Sequence, residues 1–243
     1  MKLEICIPAF DELSNLSDLL PRINEVASTT PSLEILVKVI LRCNEPESTF
    51  DEVRKLSAIP LRRQPNNSFA SALNTAIRSI DSDTDWVVFM DADGSHNPIR
   101  IPNMIRAMIN SGADIVVASR YIEGGQTDNR PTLIFLSRIL NYAFALVMGI
   151  QCKDISTNFK LYRASLIRNI DLECHNFDAV EELLLIVNQR VSSGAKIIEI
   201  PDHFEERKFG KSKRRLGPFV ATYIVTLVKM RVRLRREHRR VRR

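Results

Sequence analysis

The sequence predicts an α/β fold: a mainly parallel central sheet with helices on both faces. Three observations carry this expectation. Short runs rich in Val, Ile and Leu alternate with segments of helical apolar spacing through residue 120. The chain has 243 residues, enough for one large core, with no internal repeat and no Gly/Ser linker to divide it. Hydrophobic residues make up 44% and charged residues 26%, which excludes global disorder.

The elements follow in order. Residues 3–9 read as a buried strand and 13–27 as an amphipathic helix. Residues 34–41 are β-branched and form the next strand, followed by a short helix at 50–57 and a short strand at 58–63. Residues 68–80 carry Phe69, Ala72, Leu73, Ala76 and Ile77 at helical spacing. A strand at 86–90, a helix at 99–110 and a strand at 114–119 complete the alternation. Beyond them, 131–149 and 178–191 read as helices, 196–201 as a strand, 205–216 as a charged loop and 218–236 as a long helix. In such sheets ligands bind beyond the carboxyl ends of the strands. Chemistry is therefore expected at 8–12, 42–49, 63–70, 91–96 and 119–125.

Charge is unevenly distributed. The formal net charge is +6, but residues 229–243 hold nine Lys/Arg against Glu237, a local +8 that leaves −2 for residues 1–228. A mildly acidic body with a basic tail argues against nucleic-acid binding and suits an anionic surface. Four dispersed cysteines with no C-x-x-C pair fit a reducing compartment. The N-terminus reads as no signal peptide, and no uninterrupted run of about 20 apolar residues marks a membrane span.

The sharpest chemical signal is Asp91-Ala92-Asp93-Gly94-Ser95-His96-Asn97-Pro98, directly after an apolar strand. Two carboxylates on a turn leaving a strand can converge on one hard divalent cation, Mg²⁺ or Mn²⁺, shared with phosphate oxygens. The same run also reads as a solvated Asp/Gly turn with a helix cap ahead of Ile99. His96 reads as a structural hydrogen-bonding residue rather than a ligand.

Five motifs in order carry a family resemblance. Pro8-Ala9-Phe10-Asp11-Glu12-Leu13-Ser14-Asn15-Leu16 resembles the P-x-Y-N-E-x-x-N-L opening of inverting family-2 glycosyltransferases. Asp91–Pro98 resembles the D-A-D-x-S-H-x-P signature of their dolichol- or polyprenol-phosphate mannose synthase branch. Ala118-Ser119-Arg120-Tyr121-Ile122-Glu123-Gly124-Gly125, the Asp154–Arg163 run, and Phe204 to Lys213 are similar to three further motifs of that branch.

The resemblance implies a GT-A (Rossmann-like) fold over 1–216, with 217–243 as a membrane-associating basic helix and tail. It implies a metal-dependent inverting transferase that moves a mannose- or glucose-type hexose. The donor would be a GDP- or UDP-linked sugar and the acceptor a polyprenyl phosphate at the cytoplasmic membrane face. Asp91 and Asp93 would hold the metal, with Ala92 between them. Pro8, Ala9, Phe10, Glu12 and Arg63 would shape the donor pocket. Arg120 would bind the acceptor phosphate, joined by Arg130 from the preceding loop or Arg138 from the helix. Arg207 and Lys213 would close over the diphosphate. A phosphate acceptor is already anionic, so no strong general base is required.

Glu12 also reads as an acid favouring a helix N-terminus. Asp154 and Thr157 suit either the acceptor site or a turn. A saccharide or small-molecule acceptor would instead need a base, for which Glu181 and Glu182 are the available acids. A non-catalytic, membrane-tethered homologue is a third reading.

The sequence departs from the family on the donor side. Arg42-Cys43 stands where an acid pair usually reads the base, Asp11 replaces an asparagine, and Ser68 and Ala70 replace glycines. Around 131–149, Ser137, Arg138 and Asn141 share one helical face amid apolar residues. This helix reads either as core or as a helix between the acceptor site and lipid. Residues 219–228, about 15 Å of helix ahead of the basic tail, read as an interfacial anchor.

Overall fold

The computed structural model describes residues 1–174, 176–207 and 209. The expected basic helix at 217–243 and Lys213 lie outside the described residues.

Strand β1 (Lys2–Pro8) leads into helix α1 (Leu13–Ser28), β2 (Glu34–Leu41), α2 (Glu47–Lys55), β3 (Ile59–Arg62) and α3 (Phe69–Arg78). Strand β4 (Trp86–Phe89) is followed by a 3₁₀ turn at Pro98–Arg100, α4 (Ile101–Ser111) and β5 (Ile115–Ser119). Then come β6 (Gln126–Thr127), α5 (Pro131–Met148), β7 (Lys160–Arg163), α6 (Ala164–Ile167), α7 (Ala179–Arg190), β8 (Ile197–Pro201) and β9 (His203–Phe204). Elements expected from periodicity recur within a few residues of their expected ends. The 131–149 helix, for example, is α5.

The main sheet has seven strands in the order β3-β2-β1-β4-β7-β5-β8. All neighbours run parallel except β7, which is antiparallel to both β4 and β5. Alternation along the strands divides the core in two. Leu3, Ile5 and Ile7 with Val88 and Val116 pack against α1, α2 and α4. Cys6, Val87, Phe89, Ile115 and Val117 face the other way, onto α3, α6, α7 and the end of α5. Helices therefore cover both faces, as the sequence predicts.

Strand β1 carries β2 on one side and β4 on the other. The chain order reverses there, which makes the rim beyond β1 and β4 the topological switch point where ligands bind. Sequence reading missed β7, the short α6, and the parallel pair β6–β9. Strand β7 starts with Lys160, a residue that normally marks a solvated position. Here Lys160 is buried, and its ammonium donates to the carbonyls of Ile155 (2.8 Å) and Thr157. Burial lowers its pKa. These two contacts tie the Lys160 side chain to the 155–157 turn.

Candidate active site

A cleft of about 930 Å³ opens at the rim of the sheet. Pro8, Phe10 and Glu12 line it after β1, and Arg63, Asn67 and Ser68 after β3. Asp91 to Asp93, Ser95 and His96 line it after β4, and Arg120 and Tyr121 after β5. Four of the five expected segments meet there. The fifth, 42–49, does not line it. Arg42 instead pairs with Asp11 (2.8 Å) and Glu45 (2.7 Å), and its guanidinium lies 5.2 Å from the Phe10 ring centre. Two of the donor-side departures, Asp11 and Arg42, are thus one ion pair beside Phe10. Asp11 sits at φ +56°, a left-handed conformation that Asp tolerates better than most residues.

The metal-type turn is built tightly. Ser95 donates to Asp93 Oδ1 twice, from Oγ (2.6 Å) and from its backbone N (3.1 Å). Arg207 Nη2 sits 2.9 Å from Asp93 Oδ2 and 3.4 Å from Glu12 Oε1. Burial by itself would raise the Asp93 pKa. The Ser95 hydrogen bond, neighbouring His96 and Arg207 together hold it below the usual carboxylate range, so Asp93 is charged. Asn158 Nδ2 donates to Asp91 Oδ1 at 3.0 Å. His96 accepts from the Asp91 backbone N through Nδ1 (3.0 Å) and stacks on Phe159. It serves as a structural hydrogen-bonding residue.

No group of three or more His, Cys, Asp or Glu among the described residues could hold an ion. Asp91 and Asp93 nevertheless fit a hard divalent cation. They offer hard oxygen donors in a cleft wide enough for phosphate oxygens and water to complete the shell. A side-chain cation, Arg207, already rests on one of them.

Arg120 lines the cleft with one edge of its guanidinium engaged: Nε and Nη2 hold Asp154 Oδ2 (2.7 Å) and Oδ1 (2.6 Å), and Nη2 also reaches Ser156 Oγ (3.1 Å). The Arg120 backbone N donates to the same carboxylate at 2.9 Å. Asp154 is fully buried, and an unpaired carboxylate there would be costly. Burial would raise its pKa; the Arg120 charge and hydrogen bonds overcome that and lower it.

Of the two alternatives for a second arginine, Arg130 lines the cleft and Arg138 does not. Arg138 lies 5.3 Å from the ring centre of Tyr121, which also carries Arg120 at 4.9 Å. Ala9 does not line the cleft either. It is buried, and its carbonyl accepts from Arg63 Nη2 at 2.9 Å. Burial lowers Arg63 to about 10, still protonated near neutral pH. Gly125 packs against the Ser119–Arg120 backbone so closely that a Cβ would lie 2.6 Å from Ser119 O. That approach explains a glycine in the Ala118–Gly125 motif.

Sequence reasoning missed Tyr121, Asn158 and the apolar end of the cleft, which Phe69, Leu133, Leu136, Leu140, Phe177 and Val180 line. The helical spacing of 133, 136 and 140 was the available signal. Glu181 and Glu182, the acids suited to a general base, do not line the cleft. Glu182 instead accepts from the backbone N–H groups of Glu173 and Cys174 (2.9–3.2 Å).

The strap at 203–207 is anchored by β6–β9 pairing, by Glu205 N to Ser95 O (3.0 Å) and by Glu206 N to Asp128 Oδ2 (3.0 Å). It carries Arg207 over the turn.

A switch-point sheet with an Asp-x-Asp turn at the end of β4 defines the GT-A glycosyltransferase class. Glucosyl-3-phosphoglycerate synthase from Mycobacterium tuberculosis, solved with Mn²⁺, uridine diphosphate and phosphoglyceric acid, has the same fold. It superposes at TM-score 0.68 with 15% identity, over 95% of this chain and 78% of that one. The chain belongs to glycosyl transferase family 2, whose profile matches residues 4–171. It is 30% identical over 220 residues to a dolichol-phosphate mannosyltransferase of Pyrococcus furiosus, covering 88% of this chain and 59% of that protein's length. It is 27% identical over 252 residues to an undecaprenyl-phosphate mannosyltransferase of Micrococcus luteus, covering 100% of this chain and 99% of that protein.

Proposed function

We propose that this glycosyltransferase moves a hexose from a nucleotide-diphosphate sugar to a polyprenyl phosphate at the cytoplasmic face of a membrane. The observation that carries the reading is a single cleft with two chemistries. Carboxylates and arginines line one end and apolar side chains of α3, α5 and α7 the other, with Arg130 at the entrance to α5. The names of the relatives that act on lipid phosphates support it.

In this reading Pro8, Phe10, Glu12 and Arg63 receive the nucleoside, and Asp91 and Asp93 hold Mg²⁺ or Mn²⁺. The bound ion would supply charge stabilisation on the departing diphosphate. Arg130 holds the acceptor phosphate near the sugar, where a guanidinium fork matches phosphate geometry. Arg120 acts through Asp154 by positioning the neighbouring wall. The acceptor oxygen is already anionic, so orientation replaces proton abstraction. Arg207 closes the donor end, with Lys213 assigned to the same closure from sequence alone.

The test is a transfer assay with radiolabelled GDP- and UDP-hexoses and Mn²⁺. Polyprenyl phosphate should accept sugar, while polyprenol and free saccharides should not. Transfer to a free alcohol or saccharide at equal rate overturns the reading.

Helix α5 meets the membrane in this proposal. Phe135, Ile139, Tyr142 and Leu146 form a stripe at i, i+4, i+7 and i+11, between 48 and 71% exposed. The helix is 18 residues long, and by length and composition alone it could cross a membrane. Its inner side lines the cleft through Leu133, Leu136 and Leu140, while Phe144 and Met148 enter the core. A helix with one face committed to the protein lies in the interface rather than across it. The basic tail at 229–243 adds attraction to anionic headgroups, about 1 kcal/mol per cation before screening. Exchanging Phe135, Tyr142 and Leu146 together for serine should weaken binding to anionic vesicles at least ~10-fold, given roughly 1.5–3 kcal/mol for each fully buried apolar side chain. Co-sedimentation measures it, and unchanged partition removes α5 from the membrane contact.

A further inference from the structure

We infer that Arg207 is a resident counter-cation for Asp93, and that a divalent ion must displace it to reach the carboxylate. The inference rests on the metal assignment above and concerns how that site is filled. Asp93 has two oxygens, and the structure commits them differently. Oδ1 accepts two hydrogen bonds from Ser95, one from Oγ at 2.6 Å and one from the backbone N at 3.1 Å. Oδ2 is the oxygen left to coordinate an ion, and Arg207 Nη2 sits on it at 2.9 Å. The same guanidinium nitrogen lies 3.4 Å from Glu12. It therefore occupies the point between two carboxylates where positive charge is most favoured.

Arg207 can leave without unfolding the strap. The backbone is tied at the two preceding residues, through Glu205 N to Ser95 O and Glu206 N to Asp128. Arg207's side chain is 19% exposed and faces the cleft. Rotation about its own side-chain bonds is enough to release Oδ2. A displaced guanidinium stays within the cleft, where a diphosphate arriving with the ion offers it new oxygens. Ser95 becomes a positioning residue, since it selects which Asp93 oxygen the ion meets. The arrangement keeps the carboxylates neutralised when no ion is present, and it couples ion entry to the release of one anion-binding side chain.

The consequence has a sign opposite to that expected of a residue that merely helps binding. In the full chain without nucleotide, Arg207→Gln should tighten Mn²⁺ binding about tenfold, the scale of one charge-assisted contact. Arg207→Lys, which keeps the charge, should stay within about threefold of wild type on the same scale. Free Mn²⁺ followed by electron paramagnetic resonance reads this directly, with no turnover required. Circular dichroism checks that each variant is folded. Unchanged or weaker Mn²⁺ binding in Arg207→Gln overturns the inference, provided Asp93→Ala has abolished binding. Mn²⁺ binding that survives Asp93→Ala overturns the metal assignment itself, and this inference with it.

Discussion

Asp93→Ala is expected to lower sugar transfer by at least ~10³-fold, since a metal on a departing diphosphate supplies several kcal/mol and each 1.36 kcal/mol is tenfold in rate. The fold should survive. Asp93 stands on a turn at the rim: Ser95 is two positions away on the same turn, and Arg207 reaches it as a part-exposed side chain of the strap. The loss should appear in kcat more than in KM for the acceptor, because the phosphate end of the cleft is built from other residues. Turnover measured with radiolabelled donor and polyprenyl phosphate, beside a circular dichroism spectrum, tests both halves. A folded variant retaining more than a tenth of wild-type turnover removes the metal role from this residue.

Asp154→Asn should strongly lower stability, costing about 3–5 kcal/mol, the range for removing one partner of a buried ion pair. The substitution leaves the Arg120 guanidinium at 9% exposure without its charge partner. It also weakens the bond from the Arg120 backbone. Because folding depresses the Asp154 pKa, the pair's contribution is fully present above the unfolded carboxylate value of about 3.9. It is lost as pH falls through the lower folded value. Wild type should therefore lose this increment in acid, whereas Asp154→Asn lacks it at every pH. Urea unfolding at pH 7 and near pH 3 measures the difference. A loss below 1 kcal/mol at neutral pH would show that the pair is not holding the rim together. Replacing both residues by apolar side chains of similar volume should recover much of the stability.

The parts of the fold legible in the sequence are those with an unbroken apolar run or an apolar helical stripe. Strands β1, β2, β4 and β5 follow as continuous apolar runs, buried on both faces of a helix-covered sheet, and helices α1, α3, α4, α5 and α7 follow from apolar residues at helical spacing. Strand β7 did not follow. Four residues that begin with a buried lysine and end with Arg163 carry no alternation to read. The two-residue strands β6 and β9 are set by tertiary pairing alone. At the site, the Asp-x-Asp turn was legible because it leaves the carboxyl end of a core strand, where α/β sheets bind ligands. Arg120 was legible as a residue of the rim but not in its engagement. Its partner lies 34 positions on, and only the antiparallel return of the chain brings the two together. The displacement of the base-reading acids looked like a loss of function in one dimension. In three, Arg42 and Asp11 are one contact.

Strand β7 runs against the grain of its neighbours, and so the loop that enters it arrives at the same rim that β4 and β5 leave. Residues 154–158 therefore touch both working ends. Asp154 grips Arg120, and Asn158, four positions later, holds Asp91. In the proposed function, that short span is a ruler between the acceptor half and the donor half of the cleft. Lengthening or shortening it by one residue would shift the two halves against each other, so drift in length is far less tolerable here than in the outer loops of the barrel-less sheet.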